Sequence, residues 1–142
     1  MAAVSIIGII VSFGISAYAK GRDLQIGRSV GEEIISFLSE NQKKANIGNR
    51  DCSGLYQGQN ITINSNFTLT ASSSCSTSNG AQDTITISNL SNITTGSITF
   101  KPLAGGAVVS TDPLNISYTT TSGTTFAIQV TSSGTIEYKG IQ

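Results

Sequence analysis

The chain has 142 residues, eight basic and eight acidic, so its formal net charge is zero, and it contains neither histidine nor tryptophan. Without histidine there is no Ser-His-Asp triad, no Cys-His pair and no His-ligated metal, which removes the commonest hydrolase and zinc chemistries. A neutral chain with 11% charged residues also lacks the basic patch that marks most nucleic-acid binders.

Charge is unevenly placed along the sequence. Residues 1–19 carry none and 14 of them are apolar; residues 20–51 carry 11 of the 16 charges, and residues 52–142 only five. Of those last 91 residues, 32 are Ser or Thr. Apolar residues still alternate among them, which suits an extracellular β-domain rather than a disordered tail. Three regions follow: an apolar membrane or fibre-core helix over 1–19, an amphipathic helical stem over 20–48 and a β-rich globular head over 49–142.

As a helix, residues 1–19 would extend about 28 Å, close to a hydrocarbon core of about 30 Å. Ile6, Ile7, Ile9, Ile10, Val11, Phe13 and Ile15 supply the apolar surface, and Lys20 and Arg22 mark its polar boundary. Ala17-Tyr18-Ala19 imitates a signal-peptide cleavage site. No basic residue precedes the apolar run, however, and the helical pattern continues past the supposed cut. A signal-anchor remains, or an assembly helix that sits first in a membrane and then in a fibre core.

In the stem, Val30, Ile34, Phe37, Leu38, Asn41 and Ala45 fall on one helical face, with Glu32, Glu33, Glu40, Lys43 and Lys44 mainly off it. Glu40 and Lys44 stand in the favourable i, i+4 order, the two lysines suit the C-terminal dipole, and Gly48 is a natural C-cap. One helix is therefore expected from near residue 1 to about residue 47. Gly8, Gly14, Gly21, Gly27 and Gly31 each weaken it by about 1 kcal/mol relative to Ala, so local bending or melting is expected.

The head should form eight strands, at residues 60–63, 67–71, 84–88, 97–101, 107–110, 114–119, 126–131 and 135–139. They are punctuated at Asn79-Gly80, Gly105-Gly106, Asp112-Pro113, Ser122-Gly123 and Ser133-Gly134. The expected class is α+β: a long N-terminal helix, its apolar half protruding, packed against an antiparallel β-sheet head. Val30, Ile34, Phe37 and Leu38 should meet Phe100, Ile116, Tyr118, Phe126, Ile128, Val130 and Ile136, because an amphipathic helix and a one-sided sheet each need a cover.

Cys52 and Cys75 are the two cysteines, and an exported head puts them in an oxidising compartment, where a disulfide is the default. Further ligands or a C-x-x-C spacing, which a metal or redox pair needs, are missing. Asn60, Asn66, Asn89, Asn92 and Asn115 begin Asn-x-Ser/Thr sequons, which chance supplies freely in so Ser/Thr-rich a head. Asp83 and Asp112 read as turn caps, and Tyr56, Tyr118 and Tyr138 as packing residues rather than a sugar-stacking platform.

The run Met-Ala-Ala-Val-Ser-Ile-Ile-Gly-Ile-Ile-Val (1–11), followed by Ser16 and Tyr18, resembles the N-terminal helix of type IV pilins and pseudopilins. Ile98-Thr99-Phe100-Lys101-Pro102-Leu103, Gly105-Gly106, then Ile128, Val130, Ser133-Gly134 and Ile136 are similar to the last strands of GspH/FimT-type minor pseudopilins. The family's basic leader and Phe-Thr-Leu-Ile-Glu stretch are missing here, and Met1 is expected to be an internal methionine of the helix. Some FimT-type proteins carry a basic Gly-Arg-x-Arg phrase in the final hairpin. Here it reads Gly134-Thr135-Ile136-Glu137, which demotes nucleic acid as a partner.

The resemblance implies a structural, non-enzymatic subunit without cofactor: a minor pilin or pseudopilin of a type IV pilus, a type II secretion pseudopilus or a related competence filament. It would be a single-pass inner-membrane protein with its head outside the cytoplasm, then part of a periplasmic or extracellular filament. Its partners would be other pilins or pseudopilins, met through Val4, Ile6, Ile7, Ile10, Val11, Phe13 and Ile15. The alternative is a membrane-anchored or secreted β-domain that binds carbohydrate or a surface partner.

Overall fold

The computed structural model describes residues 2–49 and 51–142, with side chains from residue 18 onward. The assembly positions Val4, Ile6, Ile7, Ile10, Val11, Phe13 and Ile15 therefore lie outside the described side chains. Among the described residues the chain forms one helix, α1 (Ala2–Asn46), and nine strands: β1 (Tyr56–Ile63), β2 (Thr68–Cys75), β3 (Asp83–Thr86), β4 (Leu90–Ile93), β5 (Gly96–Phe100), β6 (Ala107–Val109), β7 (Leu114–Thr120), β8 (Thr125–Val130) and β9 (Ile136–Ile141). The fold is α+β.

The strands divide into two antiparallel sheets, a five-stranded one in the order β3-β2-β1-β5-β6 and a four-stranded one in the order β4-β7-β8-β9. Strict alternation explains most of them. In β2 every second residue (Leu69, Ala71, Ser73, Cys75) is buried, and in β7 Leu114, Ile116, Tyr118 and Thr120 are. Strand β4 is not among the expected ones, because its apolar residues Leu90 and Ile93 are three apart rather than two. A bulge between Leu90 and Asn92 turns both inward, so the buried pair breaks the period that would betray a strand.

Helix α1 is assigned without interruption across Gly21, Gly27 and Gly31. It closes in a Schellman motif: Gly48 takes φ +67°, its N–H donates to Ala45 O at 3.1 Å, and Asn49 N–H donates to Lys44 O at 3.0 Å. Val30, Ile34, Phe37, Leu38 and Ala45 are buried in one continuous cluster with Ile61, Ile98 and Phe100 of the first sheet and Ile116, Tyr118, Phe126, Ile128 and Val130 of the second. Ile136 packs at its margin. The helix touches β1 and β5 on one side and β7, β8 and β9 on the other. Both sheets thus share it as cover, and neither could bury its apolar face without it.

Gly106 joins the two sheets at one end. The next residue, Ala107, donates its N–H to Ser132 O at 2.8 Å, and a Cβ at Gly106 (φ +78°) would collide with that same carbonyl. Only glycine allows the β5–β6 turn to come so near the β8–β9 turn.

Candidate functional site

Two features of the stem–head junction stand out. The first is a seat for α1 on the second sheet. Tyr118 and Phe126, side by side on β7 and β8, stack with centroids 5.6 Å apart and planes 16° from parallel. The seat works because Gly27 and Gly31, one helical turn apart, remove side chains where the rings arrive. A Cβ on Gly27 would strike the Phe126 ring, and one on Gly31 would sit 2.5 Å from Tyr118 Oη and 2.8 Å from Tyr138 Cε2. The Tyr118 hydroxyl donates to Gly27 O at 2.8 Å. Burial pushes the Tyr118 phenol well above its ordinary value, with Tyr138 adding to the shift, so it stays a protonated donor. From Gly27 the helix is buried on one face as far as Ala45, whereas Tyr18 to Arg22 are exposed.

The expectation that the glycines weaken α1 misses this use of Gly27 and Gly31. Their i, i+4 spacing was the available signal, since paired small residues one turn apart permit close packing on a helix. Tyr56, Tyr118 and Tyr138 form no common platform: Tyr118 is in the core, Tyr138 lies against α1, and Tyr56 begins β1 in the other sheet.

The second feature lies where the stem ends. Cys52 and Cys75 form a disulfide that closes a 23-residue separation, worth about 3 kcal/mol in the chain-entropy model. Beside it, the Asp51 carboxylate accepts the Ala81 N–H at 2.9 Å, a bond that holds its carboxyl below the ordinary value. Polar side chains tie the helix end to both sheets. Gln42 Nε2 donates to Gly134 O at 2.7 Å, Ala104 N–H donates to Asn46 Oδ1 at 3.1 Å, and Lys44 Nζ pairs with Glu40 at 2.9 Å and Asp83 at 3.5 Å.

Neither isolated acid caps its own turn. Asp83 sits at the start of β3 and faces Lys44, while Asp112 accepts the Ser132 N–H at 3.0 Å and the Ser132 hydroxyl, bridging to the β8–β9 turn. Both were legible only as turn formers because their partners, Lys44 and Ser132, are far away in sequence. Asn60 and Asn115 of the sequons accept from Thr99 and Gln129 on the neighbouring strands.

Among the residues whose side chains are described, from residue 18 onward, no helix is long and apolar enough to cross a membrane, and no group of three or more His, Cys, Asp or Glu side chains is placed to hold a metal ion. The chain matches no family model, and no match is found among curated proteins or solved structures.

Proposed function

We propose that this chain is a minor pilin or pseudopilin, a structural subunit that assembles through its N-terminal helix into a type IV pilus, a type II secretion pseudopilus or a related competence filament. The observation that carries the reading is the length of α1 against its cover. The helix has 45 residues, about 68 Å at the standard rise, and among the residues whose side chains are described the head covers one face of it from Leu24 to Ala45, while Tyr18 to Arg22 are exposed. A stem for the head alone would need less than half of that. Most of the remainder belongs to residues 1–19, the uncharged, isoleucine-rich part of the sequence.

On this reading the head stays outside the cytoplasm while residues 1–19 lie in the inner membrane. Ile6, Ile7, Ile10, Val11, Phe13 and Ile15 then leave lipid for the helices of neighbouring subunits. Both surroundings are apolar, so the transfer changes hydrophobic free energy little and is reversible. The disulfide accords with an oxidising compartment for the head.

Ile10→Asp tests it. A carboxylate at mid-helix costs about 2.5–3.5 kcal/mol in an apolar setting. The variant, normalised to the amount of membrane-inserted subunit, should be lost from the sheared filament fraction. Incorporation at the wild-type ratio would sink the proposal.

A further inference from the structure

A cavity of about 310 Å³ opens between the last turns of α1, the segment that follows it, β1, β2 and the loop entering β3. Its wall includes three polar side chains that the fold buries almost completely: Asn41, Gln59 and Ser73, at 2%, 4% and 5% exposure. Burying such groups is costly unless they are bonded, and these are held in fixed orientation. Asn41 Nδ2 donates to Phe37 O at 2.9 Å, and Gln59 Nε2 to Ser73 Oγ at 3.0 Å and Asn49 O at 3.3 Å. Asn41 occupies the apolar stripe of α1, where Leu or Ala would serve packing alone. The neighbouring disulfide fastens the wall, since Cys52 follows Asp51 and Cys75 ends the strand that carries Ser73.

The chemistry of the lining is specific. Carboxamides of Asn41, Asn49, Gln59 and Gln82 offer donors and acceptors side by side, and the hydroxyls of Ser72 and Ser73 do both at one atom. The described ionic groups at the rim are one ammonium, Lys44, and two carboxylates, Asp51 and Asp83. Lys44 pairs with Glu40 and Asp83, and the Asp51 carboxylate takes the Ala81 N–H. An anion would meet two carboxylates and could gain Lys44 only by breaking an ion pair, and the other polar side chains of the lining, Asn41, Asn49, Gln59, Ser72, Ser73 and Gln82, are uncharged. The volume sits at the small end of ligand sites, which run from about 300 to 1,000 Å³.

We propose that this cavity is a binding site for a neutral, hydroxyl-rich ligand about one sugar ring in size. Vicinal ring hydroxyls each donate and accept, the pattern that clustered carboxamides, hydroxyls and carboxylates complement. Among the described residues no aromatic side chain lines the cavity, so recognition comes from hydrogen bonds rather than from stacking. The inference does not depend on the filament reading, because every residue it uses belongs to the head or to the head-bound end of α1.

The test uses the full chain in zwitterionic micelles, since alkyl-glycoside detergents would themselves fill the site. Methyl glucoside, methyl galactoside and N-acetylglucosamine are titrated separately, with glucosamine and glucuronate as charged counterparts, while the side-chain carboxamide resonances of Asn41 and Gln59 are followed. At least one neutral sugar should shift them saturably, with a Kd of about 1–10 mM. The rim variant Asn49→Ala/Gln82→Ala changes two exposed side chains. It should weaken that binding about tenfold, equivalent to about 1.4 kcal/mol, at an unchanged melting temperature. Silence of both resonances toward all three neutral sugars at about 50 mM, or tighter binding of a charged counterpart, would overturn the proposal. Neither result touches the Ile10→Asp outcome, so the two readings fail separately.

Discussion

Between Gly27 and Leu38 the stem is held by aromatic rings pressed against its backbone, whereas between Asn41 and Asn49 it is held by carboxamides, an ammonium group and main-chain carbonyls. The two stretches belong to one helix and share one core, yet they answer to different physics. In the first, free energy comes from excluding water and from contact, so it depends steeply on volume. In the second it comes from bonds that exchange with water, each worth about 0.5–1.5 kcal/mol net. Geometry follows the same division. Close packing at the seat fills the space between rings and backbone and leaves a mainly apolar pocket at its flank, between Arg28, Glu32, Ile35 and Tyr138, while the polar end, where long side chains meet across a gap, encloses one lined by carboxamides and hydroxyls.

The largest expected effect comes from emptying the seat. Phe126 is 1% exposed and lies over Gly27, so Phe126→Ala should lower the unfolding free energy of the full chain by about 3–5 kcal/mol in urea titration. A loss comparable to that of a surface residue would mean the seat does not hold the helix. Next is the sign of a glycine substitution. Ala is the better helix former by about 1 kcal/mol, and Gly21→Ala, with nothing within 4 Å, should be stabilising by that amount. Gly27→Ala should instead destabilise, because overpacking against a ring that the core prevents from moving costs about 1–3 kcal/mol. If both variants moved the unfolding midpoint the same way, the contrast between free and seated helix would be lost.

The smallest effect is a pH dependence confined to the polar end. Asp51 titrates below the ordinary carboxylate value of 3.8 because the Ala81 N–H favours its charged form. Its contribution is therefore complete above that value and disappears as pH falls through the lower, folded-state value. Lys44 is shifted the opposite way, upward, chiefly by its bond to Glu40, so its share is complete below 10.5 and is lost as pH rises through its folded value. Acid should thus lower the unfolding midpoint of the wild-type chain more than that of Asp51→Asn. Gly27, Gly31 and Phe126 carry no ionisable side chain, and burial moves the Tyr118 phenol upward, away from acid, so Phe126→Ala should leave the acid slope unchanged.

Much of this architecture was readable in advance, for reasons that differ from element to element. The i, i+4 stripe of the stem, the Gly48 stop and the alternating strands are local periodicities, which depend on backbone geometry alone. The Cys52–Cys75 bond followed from there being two cysteines in a head expected to be exported. Strand β4 was hidden because a bulge breaks its alternation, and the roles of Gly27 and Gly31 were misread because helix propensity, a local quantity, argued against them. Asp83 and Asp112 looked like turn caps because their partners are distant in the chain.

Residue order along the chain sets which face of the helix and of most strands is apolar, where the helix stops, and that one helix must cover a β-rich head. The tertiary structure alone decided that the strands part into two sheets sharing that helix, that rings close on two glycines, and that Asn41, Gln59 and Ser73 converge on one cavity. Periodicity records that a face must be buried but not against what. The partner is chosen by contacts between residues far apart in the chain, such as Gly27 with Phe126 and Lys44 with Asp83.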